Sequence, residues 1–471
     1  MKLPRSSAAT TLCVIALSSC ALGPDYRRPQ LDIPAAYAES YKATDEVLRY
    51  DWWTLYGDAN LNALVAEALK QSADIKIAVA QVEEAQALLG QANASIFPEI
   101  DLAGNASRAR VSTITATPIP ANAPVIRDDR RLLLSTSFEL DFWGKLRRAS
   151  EAARAQVLAS TYGRDVVTLT IVSTTTQAYF ALRSLDAQLT VLENSLRTRE
   201  ESLDVAQNRA AAGLTSDLDV NQAVGARADI ASQLNEAGRQ RTIALHLLAL
   251  LTVNAKLELP RSNLQSLPIP PAPPAGLPSA LLDRRPDIRA AEQNLIAANA
   301  QIGVAKAALF PTLSLTGNVG GQSAALENLL DSGGRIWTAG VGLALPIFDA
   351  GRNLAKLEQI EARQRQSLFA YQKVVAIAFR EVADAITNVN QSAITEADLQ
   401  VRVNAARDSL ELARLRYASG YSGYLDVLDA QRTANDAELA LVRNRQSRLG
   451  YSLEFMKALG GGWAPAATVK N

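Results

Sequence analysis

Histidine occurs once in these 471 residues, as His246, and cysteine twice, as Cys13 and Cys20. So few soft ligands argue against a zinc centre or a Cys/His nucleophile. No cluster of catalytic residue types stands in their place, so neither an enzyme nor a bound cofactor is expected. Excess charge is missing too. Lys+Arg and Asp+Glu number 48 each, which gives no reason to expect a nucleic-acid partner. No stretch approaches 18 consecutive apolar residues, so no transmembrane helix is expected.

What is present begins with a targeting signal. Lys2 and Arg5 precede a short apolar run at 8–17, which ends in Leu17-Ser18-Ser19-Cys20. The run is too short to span a bilayer and ends in small residues, as a secretory signal does. A Cys in that place fits the bacterial lipoprotein box, in which Cys20 becomes the acylated first residue. Ordinary cleavage near Ser19 with an incidental thiol is the alternative. Cys13 would leave with the signal, so the mature chain has no disulfide. Residue 21 is Ala rather than the Asp that retains lipoproteins at the inner membrane, which points to the outer membrane. Acyl chains contribute about 0.8 kcal/mol per buried methylene, so several together anchor firmly.

The chain then repeats itself. Residues 72–98 and 285–311 share ten identities in 27, ending in Phe97-Pro98 and Phe310-Pro311. A second pair of blocks, 209–223 and 416–430, shares seven identities in fifteen. The offsets differ by six residues, so one half carries an insertion, expected in a loop after the Phe-Pro. Each half reads as an Ala-rich helix, two alternating segments, a very long helical run, a Gly-containing turn and another long helix. Residues 352–419 contain neither Gly nor Pro; at about 1.5 Å per residue this predicts a rod of roughly 100 Å. Its counterpart, 145–212, is broken only at Gly163. Helices of such length imply coiled-coil packing. Gly213 and Gly420 suit the left-handed position after a helix, with Ser216 and Ser422 as N-caps of the next. Between the halves, 260–286 holds eight of the nineteen prolines and must run as a linker.

Four segments alternate with period two: about 99–110, 131–143, 311–322 and 336–348. Leu132, Leu134, Thr136, Phe138, Leu140 and Phe142 oppose Leu133, Ser135, Ser137, Glu139 and Asp141. About ten residues is the length a tilted strand needs to cross a bilayer. A soluble half-buried hairpin gives the same alternation. Two features favour the membrane: the lipoprotein signal, and Phe97, Phe142, Trp143, Phe310 and Phe348 at the strand ends nearest the helices, where an interfacial girdle belongs. Four strands cannot close a barrel, and lipid leaves no edge unpaired, so the chain must oligomerise.

Several blocks carry a family resemblance: "CALGPDYRRP" (20–29), "RRPDIRAAE" (284–292), "LPIFDAG" (345–351), "YLDVLDAQR" (424–432) and "ALGGGW" (458–463). They resemble the outer-membrane factor family, the TolC-like channels of tripartite export systems, in its lipoprotein efflux branch. The likeness covers essentially the whole mature chain. It implies an α+β membrane protein: a homotrimeric twelve-stranded β-barrel, four strands per chain, continued by a long α-helical coiled-coil barrel in the periplasm. The implied organisation is a signal at 1–19, a lipid-anchored equatorial segment at 20–60, repeats at 61–259 and 287–457 around the 260–286 linker, and an equatorial tail at 458–471. The implied partners are outer-membrane lipid, a periplasmic adaptor and an inner-membrane, proton-driven pump.

The resemblance also implies a gate at the second hairpin, with Leu425 and Asp429 facing the axis and Arg432 or Arg416 as basic partners. Solvated charge at an exposed helix start is the bland alternative. The first half has Gln222 where the second has Asp429, so the tips are not equivalent. The turns around Gly213, Leu214 and Thr215 and around Gly420, Tyr421 and Ser422 are the implied adaptor-docking tips. A protein-secretion channel and a coiled-coil envelope spacer remain alternatives.

Overall fold

The computed structural model describes residues 21–31, 49–114, 120, 122–274 and 278–462. The signal segment, Cys20, residues 32–48 of the N-terminal segment, the middle of the loop at 115–119 and the end of the tail from residue 463 lie outside them.

Seven principal helices and four strands follow one another: α1 (Ala59–Gln71), α2 (Ala73–Ala94), β1 (Glu99–Arg110), β2 (Ile126–Leu140), α3 (Lys145–Ala211), α4 (Asp217–Leu251), α5 (Pro286–Ala307), β3 (Thr312–Ser323), β4 (Arg335–Ala344), α6 (Arg352–Ala418) and α7 (Tyr424–Ala458). Both α3 and α6 run for 67 residues, and both α4 and α7 for 35. The fold is mostly helical with one small sheet.

Three local expectations are corrected. Gly163 does not interrupt α3: a lone helical Gly costs only about 1 kcal/mol, which the rest of a 67-residue helix outweighs. Ser422 does not cap α7; Gly423 takes that position, in extended conformation. Strand β4 stops at Ala344, so Leu345, Ile347 and Phe348 lie beyond it. Pro346 has no N–H to donate to a ladder, which is reason enough for the strand to end.

Contacts gather the chain into two units that each draw on both halves of the sequence. The first comprises 1–30, 81–161 and 290–371; the second comprises 31–80, 162–289 and 372–471. The first holds the sheet, an antiparallel meander in the order β1-β2-β3-β4. Its helices bury small side chains, among them Ala85, Ala152, Ala155, Ala159, Ala300 and Ala305. Alanine at these positions lets helices approach closely.

The second unit carries the large aromatic core. Trp52, Tyr56, Leu61 and Val65 bury against Tyr179, Phe180 and Leu182 of α3 and Leu449, Leu453 and Met456 of α7. Tyr56 and Phe180 meet edge to face at 4.8 Å, and the Tyr56 hydroxyl lies 2.8 Å from Ser452 Oγ. Beside this core sits a buried ionic knot. Asp186 accepts from Arg183 at 2.9 Å and from Arg241 at 2.6 Å. The same arginines donate to the Pro260 and Leu259 carbonyls at 2.7 and 2.9 Å. The start of the Pro-rich linker is thereby tied to α3 and α4.

Candidate functional site: a two-faced sheet and the helical tips

Strand register builds the first part of the site. In an antiparallel pair, directly opposed residues point to the same face. Leu102 opposes Leu134, Leu134 opposes Val319, and Val319 opposes Trp337, so one row crosses all four strands. These residues are 69%, 45%, 55% and 77% exposed, so nothing among the described residues covers them. The adjacent row, on the opposite face, reads Asp101, Ser135, Asn318 and Thr338. An apolar face and a polar face, each continuous over four strands, suit hydrocarbon on one side and water on the other. The outer strands β1 and β4 have no further strand beside them among the described residues.

The aromatic residues named at the strand ends divide by environment. Phe97 and Phe348 are strongly exposed, and Phe142 and Phe310 moderately so. Trp143 is more enclosed: its indole N–H donates to the Pro311 carbonyl at 2.7 Å, and its ring lies 4.8 Å from that of Phe310. Phe97-Pro98 falls between the end of α2 and the start of β1, and Phe310-Pro311 between α5 and β3.

The tips form the second part. The two 67-residue helices, α3 and α6, end the same way. The Leu214 amide bonds the Arg209 carbonyl at 2.8 Å while Gly213 bonds Ala210 at 2.9 Å, and Tyr421 and Gly420 repeat this on Arg416 and Tyr417 at 2.8 and 3.0 Å. This is the Schellman arrangement, and it requires the left-handed φ of +70° at Gly213 and +80° at Gly420. Leu214 and Tyr421 project outward from these turns. Thr215 donates to the Asp219 carboxylate, and Ser216 sits at the N-cap of α4 without bonding it through its side chain.

Between the two tips lies a small core of Ala206, Ala223, Tyr417, Tyr424 and Val427. Tyr417 and Tyr424 stand edge to face at 5.6 Å. Burial pushes both phenols above their ordinary pKa. Arg209 clasps this core, with its guanidinium 4.8 Å from the Tyr417 ring centre and donating to the Tyr417 carbonyl at 3.0 Å. Sequence reasoning missed Arg209 as a tip residue. The repeat had aligned it with Arg416, but its partner, Tyr417, is distant in the chain.

At the gate positions, Leu425 is 63% exposed. Arg432 donates to Asp429 at 2.8 Å, one turn along the same helix, and both side chains are open to solvent. Arg416 is exposed and pairs with no acidic group among the described residues.

A family model described as outer membrane efflux protein matches residues 64–253 and 277–461. The chain belongs to the outer membrane efflux protein family. It is 34% identical over 467 residues to the cation efflux system protein CusC of Escherichia coli, covering 96% of this chain and 98% of that one. It is 32% identical over 468 residues to the outer membrane protein OprJ of Pseudomonas aeruginosa, covering 98% and 97%. Among solved structures, the outer-membrane channel OprN superposes with a TM-score of 0.88 at 28% identity, covering 94% of this chain and all of that one. The open-state MtrE outer membrane channel of Neisseria gonorrhoeae gives 0.84 at 31% identity, covering 94% and 98%. The chain is thus an outer-membrane efflux channel.

Proposed function

We propose that three copies of this chain close into one twelve-stranded barrel, continued by their helices into a duct, and that the duct is the passive exit of a tripartite efflux pump. The observation that carries the reading is the sheet: one face apolar, the other polar, and no further strand beside either edge among the described residues. In hydrocarbon an unpaired strand edge leaves backbone N–H and C=O groups unsatisfied, at several kcal/mol each. Pairing β4 of one copy with β1 of the next removes every edge. The two halves of the chain, each giving two strands and a long helical hairpin, read as a duplication of one unit.

In this reading Cys20 carries the lipid anchor, and the duct needs neither cofactor nor catalytic residue. Energy and cargo choice belong to an inner-membrane, proton-driven pump joined through a periplasmic adaptor. The tips at Gly213, Leu214 and Thr215 and at Gly420, Tyr421 and Ser422 are the docking ends for that adaptor. Three Asp429 carboxylates around the axis form the cation-attracting gate beside Leu425, restrained by Arg432. Relatives are named for cations and for organic solvents such as toluene, which suits a wide duct whose cargo is set elsewhere. A strain lacking the chain tests this directly. It should become sensitive to the compounds exported by its partner pump, and deleting the pump in addition should add nothing. Equal resistance with and without the chain would overturn the proposal.

A further inference from the structure

The strand ends that point away from the helices are rich in arginine. Arg108 and Arg110 close β1, Arg127, Arg130 and Arg131 lie in the first turn of ladder in β2, and Arg335 opens β4. No lysine occurs in 99–140 or 312–344. Register divides these arginines between the two faces. On the polar face Arg131 pairs with Asp129 at 2.9 Å, and Gln322 donates to the same carboxylate at 2.6 Å. Arg127, also on that face, donates to the Pro124 carbonyl at 3.3 Å.

The apolar face differs. Arg110 opposes Ile126, Arg108 opposes Asp128, Arg130 opposes Ala106 and Ser323, and Arg335 opposes Gly321. Residues two apart on a strand share a face, so all four arginines lie on the side of Leu134 and Val319. Arg110 and Arg335 are exposed and pair with no acidic group among the described residues. Arg108 is 72% exposed, and its one carboxylate, Asp128, stands 3.8 Å away. Arg130 donates to the Ala324 carbonyl. Four cations thus share this face with one anion.

The strand sets their depth. Between Leu140 and Arg130 this face of β2 reads Phe138, Thr136, Leu134 and Leu132, with no charge. Ten residues at about 3.3 Å each, tilted by about 40°, rise roughly 25 Å, the height of the apolar band of a membrane barrel. The arginines therefore begin where hydrocarbon ends. With the long helices on the periplasmic side, these are the headgroups of the outer leaflet. We propose that Arg108, Arg110, Arg130 and Arg335 form a rim on the barrel that binds the phosphate groups of a phosphorylated outer-leaflet lipid. This rests on the reading of the sheet as part of a barrel with lipid on its apolar side. Guanidinium suits the partner, because its planar fork meets phosphate with two parallel hydrogen bonds, which an ammonium cannot do.

Native mass spectrometry of the purified full-length channel in detergent tests this. The probe is diphosphorylated lipid A, and the control is the same lipid with its phosphates removed. The unaltered chain should retain the first and shed the second. Arg110→Gln combined with Arg335→Gln should weaken retention about 25-fold, roughly fivefold for each basic group taken from beside a charged lipid surface. Arg127→Gln makes the same charge change on the polar face and should alter retention by less than about twofold. Full retention by the double variant overturns the lipid site. So does equal retention of the two lipids, or equal weakening by Arg127→Gln. The same spectra read the oligomer: a chain found only as a monomer overturns the barrel reading itself, and the rim with it, whereas a trimer indifferent to these arginines overturns the lipid site alone.

Discussion

Leu134 of β2 and Val319 of β3 stand directly opposite each other, one from each half of the chain, on the same exposed apolar face. The sheet is therefore built jointly by the two halves, and its central pairing is long-range. Placing a charge on this face is the sharpest probe of what it touches. Leu134→Arg should destabilise the assembled channel by about 2–4 kcal/mol, the cost of a cation on the lipid face of a barrel. Ser135→Arg, one residue on and on the polar face, should be tolerated. Heat-modifiability of the protein in outer membranes checks both. Equal tolerance at the two positions would contradict lipid on the Leu134 side.

The Arg183–Asp186–Arg241 knot predicts asymmetric mutational costs. Asp186→Ala strands two cations, one of them fully buried, and should cost about 3–5 kcal/mol. Replacing Asp186 and Arg183 together with leucine and methionine should cost clearly less, because the fully buried cation leaves with its partner and only the partly exposed Arg241 loses its carboxylate. Denaturant titrations of the two variants make the comparison.

The tip turn has its own signature. Gly420→Val forces a β-branched residue into the left-handed region, a local strain of about 1–2 kcal/mol that the turn relieves by opening. Global unfolding should hardly change, since the strain sits at an exposed turn that can open locally. The loss should be felt in adaptor binding, measured by surface plasmon resonance on the purified channel. Unchanged adaptor affinity would remove this tip from the docking surface.

Asp429 and Arg432 form an exposed pair within one helix, worth at most about 1 kcal/mol to stability. Asp429→Asn should therefore leave the melting temperature nearly unchanged yet reduce the preference for cations in reversal-potential measurements. A large stability loss with unchanged ion preference would make the pair a structural feature of the helix rather than a gate.

Much of this architecture was legible in the sequence, for identifiable reasons. Long Gly- and Pro-free runs announced α6, and the two aligned glycines, Gly213 and Gly420, occupy the left-handed turn positions their spacing suggested. Period-two alternation located the strands and the ends of β1 and β3, but misjudged the start of β2 and the finish of β2 and β4. The ladder starts at Ile126, ahead of the alternating run, and stops at Ala344, where Pro346 forbids it. Gly163 misled because one weak helix former does not break a long helix whose stability comes mainly from packing along its length. The buried knot was beyond reach. Asp186 and Arg241 look like ordinary residues until the fold brings them together. Among the candidate site residues, Asp429 and Arg432 were readable as neighbours on one helix turn. Arg209 was not, because its partner, Tyr417, lies on the other hairpin.

Single-channel recording in planar bilayers tests the central claim, that copies of this chain enclose a water-filled duct. The account predicts discrete conductance steps from the purified protein, larger for Asp429→Ala than for the unaltered chain because the gate is relaxed. Folded, membrane-inserted protein that gives no steps in either form would contradict it.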